Sequence, residues 1–315
     1  MKSKLPLLIV LVVLLFAALA GAYVLFPQQA AQFGIALERS RSGLTEKTLT
    51  LPGMQIAYLE GGPSGQSEPL VLIHGFGADK DNWTRIARYL TPQFHVFAID
   101  LPGFGESSKP ADWRYRIQDQ VERVHAIVAA LGIQRPHLGG SSMGGHIAAS
   151  YAARYPDEVA SLWLNAPGGV FSAQPSEMAL RIQAGEKIPL LAQSREEFDQ
   201  VFALMFVEPP FVPSAFKQVL AERAAANYEL HLRIFKDIRH DSLPLENLVN
   251  GLATPTRIVW GEQDRVLHVS GAEILTGLMP NASVLALPAT GHLPMIERRQ
   301  VVAEDYLSFR ASLQK

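Results

Sequence analysis

The sequence predicts an α/β fold with a mostly parallel sheet and helices on both faces. Short apolar runs alternate along the chain with longer segments whose apolar residues recur at helical spacing, a pattern typical of parallel sheets covered by helices. A Gly-Ser-Ser-Met-Gly turn at 140–144 also joins an apolar run to an alanine-rich segment at 145–153. With 315 residues, of which 48% are hydrophobic, the chain can bury a large core.

The predicted elements follow one another in a regular order. Residues 49–59 predict a hairpin that turns at 52–53. The continuous apolar run at 69–73 predicts a strand covered on both faces, and residues 117–131 show apolar side chains at helical spacing. The further predicted strands are 94–99, 134–139, 159–164, 258–260 and 284–287, and the further predicted helices are 81–90, 145–153 and 298–313.

One stretch interrupts this alternation. Residues 171–252 contain helical segments and prolines but no clear strand, so we predict a helical cap, or lid, inserted between two core strands. The core then comprises residues 39–170 and 253–315. The cap is rich in phenylalanine and leucine, which favours an apolar substrate beneath it, and Phe206 and Phe211 are its candidate substrate-binding residues.

The N-terminal segment is apolar over its whole length. Residues 5–26 carry no charged side chain, and these 22 residues are enough to cross a bilayer as a helix, which takes about 20. We therefore predict an N-terminal transmembrane helix. The sequence Ala18-Leu19-Ala20 is also compatible with cleavage of a signal peptide, so a secreted form is the alternative.

The charges around this segment predict its orientation. Lys2 and Lys4 precede it and indicate an N-terminus inside the cell, with the rest of the chain outside; in a bacterium this is the periplasmic side of the inner membrane. We assign residues 1–38 to the anchor and a juxtamembrane helix, although residues 27–37 are equally compatible with a linker. Small residues around Gly21 also allow a homodimer through the anchor.

Composition excludes several classes of function. The chain has no cysteine, which excludes disulfides, thiolate catalysis and cysteine metal sites. A formal net charge of −2 provides no basic field for nucleic acid. The Gly-Phe-Gly sequences at 75–77 and 103–105 do not complete a dinucleotide-binding motif, and residues 240–241 lack the spacing of a metal site. We therefore predict no metal and no organic cofactor.

The turn at 140–144 predicts a nucleophile. A strand, a sharp turn and a helix are the context in which a Gly-x-Ser-x-Gly sequence exposes its serine hydroxyl at the end of a sheet. Small residues on both sides allow the chain to turn this sharply. Ser142 is therefore the candidate catalytic nucleophile.

Two residues downstream of Ser142 complete a candidate triad. A serine hydroxyl needs a base, and the base needs an orienting carboxylate. In sheet-based hydrolases the acid follows the serine, and the histidine follows the acid. Asp264 lies after a predicted strand and is the preferred acid, with Glu262 and Asp241 as alternatives. His292 lies after the last predicted strand and is the candidate base.

Attack on an ester produces an oxyanion, which requires N–H donors. The main-chain N–H of Met143, directly after the nucleophile, is one candidate. The N–H of Phe76 is the other, since it lies in the loop after the predicted strand 69–73. The glycines that flank Phe76 let this backbone approach the substrate, and the preceding histidine is expected to brace the loop. The remaining candidate substrate-binding residues are His74, Gly75, Gly77 and Ser141.

These motifs together resemble the α/β-hydrolase fold family. The sequences that carry the resemblance are Ile-His-Gly-Phe-Gly at 73–77, Asp-Leu-Pro-Gly-Phe-Gly at 100–105, Gly-Ser-Ser-Met-Gly-Gly at 140–145, Gly-Glu-Gln-Asp at 261–264 and Gly-His at 291–292. They occur in the order of the family, and the resemblance as a whole covers the chain from about residue 49 to the C-terminus. The resemblance implies a serine hydrolase that works without a cofactor.

Within that family the chain most resembles lipases, lysophospholipase-like carboxylesterases and membrane-anchored bacterial phospholipases A. This resemblance implies cleavage of acyl esters of phospholipids, lysophospholipids or monoacylglycerols through an acyl-enzyme. The Ser-Met-Gly-Gly sequence at 142–145 is equally similar to carbon–carbon bond hydrolases of aromatic ring-cleavage products. A non-catalytic binding protein on the same fold is the alternative from another class, although all three triad candidates are present. A serine at the nucleophile position argues against dehalogenases and epoxide hydrolases, which use aspartate.

Overall fold

An eight-stranded sheet forms the centre of the molecule. The computed structural model describes residues 21, 25–65 and 68–314. The strands lie in the order β1-β2-β4-β3-β5-β6-β7-β8. Their bounds are β1 Leu44–Leu51, β2 Met54–Gly61, β3 Pro69–Ile73, β4 His95–Ile99, β5 His137–Ser141, β6 Ser161–Asn165, β7 Thr256–Gly261 and β8 Ala282–Leu287.

The sheet is mostly parallel, as the sequence predicts. Strand β2 is antiparallel to both of its neighbours, β1 and β4. All pairings from β4 through β8 are parallel. The carboxyl ends of these strands therefore meet at one edge of the sheet, which is where ligands bind in open parallel sheets.

Helices cover both faces of the sheet. Their bounds are α1 Pro27–Arg41, α2 Thr84–Leu90, α3 Ile117–Ala130, α4 Met143–Arg154, α5 Glu177–Gln183, α6 Arg195–Met205, α7 Ser214–Ala226, α8 Tyr228–Asp241, α9 Leu245–Leu248, α10 Ser270–Leu278, α11 Pro294–Glu297 and α12 Arg299–Ser312. Short 3₁₀ turns at Lys80–Trp83 and Pro156–Glu158 precede α2 and follow α4.

Alternate side chains of the strands point to two separate cores, as the period of a strand requires. In β3, Val71 and Ile73 pack with residues of α3, α4 and α10, whereas Leu70 and Leu72 pack with residues of α2 and α12. All four side chains are fully buried. Each stabilises the fold by about 1.5–3 kcal/mol relative to an exposed position. The continuous apolar run of this strand is thus explained by burial on two sides.

Strand β5 begins later than the sequence predicts. It starts at His137, whereas residue 134 was the expected first residue. Arg135 has a φ of 46°, which lies outside the extended region, and Pro136 has no N–H to pair. The backbone therefore cannot enter the sheet before His137.

The segment between β6 and β7 is helical. Helices α5 to α9 lie there, and in this fully described segment no strand interrupts them. We call residues 171–252 the insertion. Helix α7 of the insertion contacts α1 closely, because a Cβ added at Gly34 would lie 2.2 Å from the ring of Phe216.

Residues 27–41 form helix α1 and not a linker. Pro27 occupies its first turn, where a missing N–H costs nothing. The helix runs three residues past the predicted boundary at 38 and ends before Gly43, whose φ is 65°. The predicted membrane anchor at 5–26 lies outside the described residues, apart from residues 21, 25 and 26. None of the helices within the described ranges has both the length and the hydropathy to cross a bilayer.

Candidate active site

The predicted nucleophile lies in a sharp turn between β5 and α4. Ser142 has φ 53° and ψ −118°, a conformation that costs a non-glycine residue about 1–3 kcal/mol. Its backbone is fixed on both sides. The N–H donates to the carbonyl of Asn165 at 3.0 Å, and the carbonyl accepts from Gly168 at 2.9 Å and from His146 at 3.1 Å. The fold therefore stabilises a strained backbone at this serine.

Two glycines of the motif allow the turn because no side chain fits beside them. A Cβ at Gly144 would lie 2.2 Å from the carbonyl oxygen of Ile73, and one at Gly140 would lie 2.2 Å from the carbonyl oxygen of Gly144. Both obstacles are backbone atoms that cannot rotate away. Helix α4 can therefore begin directly over the end of β3 only with glycine at these positions.

The predicted acid and base form a buried pair at the same edge of the sheet. His292 Nδ1 lies 2.8 Å from Asp264 Oδ2, and both side chains are almost inaccessible to solvent. The carboxylate accepts, so Nδ1 carries the proton and Nε2 is left as the basic nitrogen. This pairing is the arrangement that a general base requires.

Main-chain and indole donors hold the Asp264 carboxylate. Its Oδ1 accepts from the N–H groups of Val266 at 2.8 Å and Leu267 at 2.9 Å, and Trp260 Nε1 lies 3.1 Å from Oδ2. The alternatives to Asp264 have no such surroundings. Glu262 is exposed on the same loop, and Asp241 is exposed at the end of α8.

The loop after β8 places His292 against the insertion. The main-chain N–H of His292 donates to the carbonyl of Met205, at the end of α6, over 2.8 Å. The neighbouring N–H of Gly291 donates to Glu297 Oε2 over 2.9 Å. The position of the imidazole therefore depends on α6 as well as on the sheet.

The loop after β3 adjoins the nucleophile. A Cβ built on Gly75 would lie 3.2 Å from Ser142 Cβ. Within the described part of the chain, the N–H groups of Phe76 and Met143 donate no hydrogen bond. Both donors are therefore available for an oxyanion formed at Ser142.

His74 braces this loop and lies away from solvent. Leu101 N–H donates to its Nε2 at 3.1 Å, so Nδ1 carries the proton that it donates to the carbonyl of Gly75, at 2.7 Å. Burial lowers the pKa of His74, which keeps the ring neutral. Ser141 is also fully buried, in β5. Neither of these two candidates lines the apolar cavity beside the loop.

An apolar cavity of about 350 Å³ opens beside the loop after β3. Its walls come from that loop, from α1, from the start of α2, from the insertion, and from Leu293 and Ile296 after His292. Among the lining residues are Phe76, Gly77, Phe202, Phe206, Phe216 and Leu293. Of the predicted substrate-binding residues, Gly77 and Phe206 line the cavity, whereas Phe211 is 84% exposed and lies outside it.

Sequence reasoning missed several residues of this cavity. Gly34 and Ile35 of α1 line it, as does His231 of α8. The ring of His231 stacks on Phe104 at 5.1 Å, and burial lowers its pKa to about 4. The helical spacing of the small and apolar residues in α1 is a signal that could have found the first two. No local pattern marks the histidine.

Asp79 is a further cavity residue that the sequence did not single out. Burial, followed by the negative charges of Asp81 and Asp100, raises the pKa of Asp79 to about 7. An unfolded aspartate titrates near 4, so the folded chain holds this proton over a higher range of pH. The contribution of this carboxyl to stability is therefore complete below about pH 4 and is lost as the pH rises through about 7.

We expect the substitution Asp79→Asn to remove this loss. The variant should be more stable than the natural chain at pH 8, by on the order of 1 kcal/mol. The full pKa shift would give a larger difference, but Asp79 is half-buried and solvent reduces the effect of the shift on stability. The amide retains an oxygen to accept from Asp81 N–H, which lies 3.0 Å from Asp79 Oδ1. Thermal unfolding at pH 5 and pH 8 tests this, with exposed Asp112→Asn as the control. A variant less stable than the natural chain at pH 8 would contradict the expectation.

In the ranges that the structure describes, no three histidine or carboxylate side chains cluster as metal ligands would. His240 and Asp241 lie together at the end of α8 without a third partner of this kind. The groups in place at the site are Ser142, the Asp264–His292 pair and the N–H groups of Phe76 and Met143.

Comparison with known proteins places the chain among hydrolases. A sequence model of the alpha/beta hydrolase fold matches residues 68–205. The chain is 38% identical to Lipase 1 of Psychrobacter immobilis, over 89% of this chain and 88% of that protein. It is 30% identical to a monoacylglycerol lipase of Xenopus laevis, over 94% and 91% of the two chains. The crystal structure of a membrane phospholipase A, a bacterial virulence factor, matches with a TM-score of 0.90 and 42% identity, over 98% and 99%.

Proposed function

Because the chain belongs to the α/β-hydrolase fold family, we propose that it is a serine hydrolase that cleaves acyl esters of lipids. The observation that carries this proposal is the buried Asp264–His292 pair at the sheet edge where the strained Ser142 lies. The apolar cavity beside Phe76 supports an acyl chain as the group to be bound. The names of the relatives, two lipases and a phospholipase A, agree with this substrate class.

The proposed reaction proceeds through an acyl-enzyme. Ser142 Oγ attacks the ester carbonyl carbon while His292 Nε2 accepts its proton, and Asp264 stabilises the imidazolium. The negative charge on the carbonyl oxygen is held by the N–H groups of Phe76 and Met143. The imidazolium then protonates the leaving alcohol as the carbon–oxygen bond breaks. Water, deprotonated by His292, attacks the acyl-enzyme and releases the fatty acid and the free serine.

We further propose a division of the chain into an anchor, a core and a cap. Residues 1–38 would hold the anchor and juxtamembrane helix, and residues 39–170 and 253–315 the core. The insertion would serve as the cap, or lid, over the cavity. Helix α1 supports this division, because Phe33 is 72% exposed on it while its neighbours Gly34 and Ile35 line the cavity. The anchor would keep the site near its insoluble substrate, on the periplasmic face of the inner membrane.

A panel of acyl esters tests the substrate class. Full-length protein in detergent micelles is incubated separately with phospholipids, lysophospholipids and monoacylglycerols, and released fatty acid is quantified. We expect release from at least one class. A dienol-ketone acid of the kind that carbon–carbon hydrolases cleave is the matched negative substrate. Turnover of that acid without hydrolysis of any acyl ester would overturn the proposal.

A further inference from the structure

Helix α1 is joined to the loop that carries Phe76 by a two-point ion pair. Arg39 Nε lies 2.7 Å from Asp81 Oδ1, and Arg39 Nη2 lies 2.6 Å from Asp81 Oδ2. Both side chains are largely buried, with 14% and 20% of their surfaces exposed. Two parallel bonds of this kind fix the relative orientation of the two groups as well as their distance.

Asp81 in turn organises the segment that follows Phe76. Its N–H donates to Asp79 Oδ1 over 3.0 Å, and its own Oδ1 accepts from Thr84 Oγ1 over 3.1 Å. The 3₁₀ turn and the start of α2 are thereby closed around one carboxylate. That carboxylate lies only five residues after the proposed oxyanion donor, so its position limits where the donor can lie.

The adjacent lysine ties the same loop to the core. Lys80 N–H donates to Asp100 Oδ1 at 2.7 Å, and its Nζ lies 2.9 Å from Asp100 Oδ2, 2.8 Å from Glu106 and 3.0 Å from Glu46. Glu46 also binds Arg39 Nη1, at 2.8 Å. The loop is thus held from the core through Lys80 and from α1 through Arg39.

Carboxylates outnumber cations in this network. Two cations, Arg39 and Lys80, face the carboxylates of Glu46, Asp81, Asp100 and Glu106. Loss of the arginine would leave Asp81 without its cation among mutually repelling groups. The hydrogen bond from Thr84 Oγ1 to Asp81 Oδ1, at 3.1 Å, would remain, but a single neutral donor does not fix the orientation of the carboxylate as the two guanidinium bonds do.

Other contacts keep α1 in place without Arg39. Glu38 pairs with Arg88 of α2 at 3.0 Å, and Ala31 is buried to 2% exposure. Removal of the guanidinium should therefore release the loop while the helix stays docked. The effect is expected in the reaction more than in the stability of the fold.

From these contacts we propose that Arg39 is a positioning residue, which holds the loop of Phe76 in the geometry that stabilises the oxyanion. The proposal rests on the serine hydrolase function proposed above. It makes catalysis depend on a residue of the juxtamembrane helix, at the opposite end of that helix from the predicted anchor. Removal or displacement of α1 would then weaken turnover even for a substrate that needs no membrane.

The test compares Arg39→Gln with the natural full-length protein on a water-soluble short-chain ester. We expect kcat to fall roughly tenfold, less than the roughly 100-fold cost of losing an oxyanion donor outright, with KM changed by less than about twofold. Arg39→Lys, which restores the charge without the two-point geometry, should recover part of kcat. Arg41→Gln is the matched control, because Arg41 lies on the same helix, is exposed and has no ion pair in the described part of the chain.

The double variant Arg39→Gln/Asp81→Asn tests whether the pair acts as a unit. Of the single variants Arg39→Gln and Asp81→Asn, one will have the lower kcat. The kcat of the double variant should not fall below that value, since both changes remove the same contact. An Arg39→Gln variant with natural kcat, or an equal loss in Arg41→Gln, would overturn the proposal. So would a fall in kcat fully accounted for by unfolded protein in a thermal scan. Labelling of the natural protein by a fluorophosphonate tests the serine hydrolase function separately from the role of Arg39. Absence of label on Ser142 contradicts the hydrolase function itself.

Discussion

Replacement of Ser142 by alanine is expected to lower hydrolysis of acyl esters by about 10⁴-fold or more, because the attacking atom is lost. The fold should persist. The hydrogen bonds that hold this residue run to its backbone N–H and carbonyl, which alanine retains. Alanine also adds no new strain, since it meets the same backbone conformation, with φ 53°, that serine already adopts.

Two measurements separate lost chemistry from lost structure. The rate of short-chain ester hydrolysis reports the first, and thermal unfolding reports the second. Ser150→Ala is the matched control, because its buried hydroxyl in α4 has no hydrogen-bond partner in the structure as described. Substantial activity in Ser142→Ala, with unchanged fluorophosphonate labelling, would show that another residue is the nucleophile.

The parts of the fold that the sequence predicts are those set by local pattern. Strand β3 occupies the predicted residues, because burial on two faces leaves a continuous apolar run that few other structures produce. The turn at Ser142 is predictable for a similar reason. Glycine is required at positions 140 and 144 because backbone atoms lie too close to admit a side chain there. This requirement leaves a recognisable pattern of small residues in the sequence.

The parts that sequence reasoning could not find depend on contacts between distant segments. Arg39 and Asp81 are 42 residues apart, and no periodicity relates them. Whether an individual phenylalanine of the insertion is buried or exposed is equally impossible to predict from local sequence. Phe206 and Phe211 are both aromatic residues after α6, yet one lines the cavity and the other is 84% exposed. The path of the chain after a helix end decides between these outcomes, and that path depends on tertiary packing.

The packing around His292 links the insertion to the proposed base. The imidazole is oriented on one side by Asp264 and on the backbone side by the carbonyl of Met205. Met205 ends α6, and the next residue, Phe206, lines the cavity. A single chain turn therefore connects the wall of the cavity to the position of the base. Under the proposed mechanism, this turn links the fit of the substrate to proton transfer.

The substitution Asp264→Asn should lower kcat by about 10⁴-fold. We expect little change in structure, because Trp260 Nε1, which loses Oδ2 as an acceptor, keeps the carbonyl of Leu267 at 3.0 Å. Oδ1 accepts two main-chain N–H groups, from Val266 and Leu267, so this position must remain an oxygen. The amide nitrogen then takes the place of Oδ2, opposite His292 Nδ1 at 2.8 Å. A donor there is satisfied only when Nδ1 carries no proton, which moves the proton to Nε2.

Protonated Nε2 of a neutral imidazole cannot accept the proton of Ser142, so attack is suppressed although every residue stays in place. Asparagine has nearly the same shape as aspartate, so we expect an unchanged KM for a short-chain ester. The loss of activity should appear entirely in kcat. Glu262→Gln and Asp241→Asn are the matched controls, since both carboxylates are exposed. Natural kcat in Asp264→Asn, together with a large loss in either control, would transfer the orienting role to that residue. We expect Asp264 to keep this role, because its side chain is buried and two main-chain N–H groups hold its Oδ1 in place.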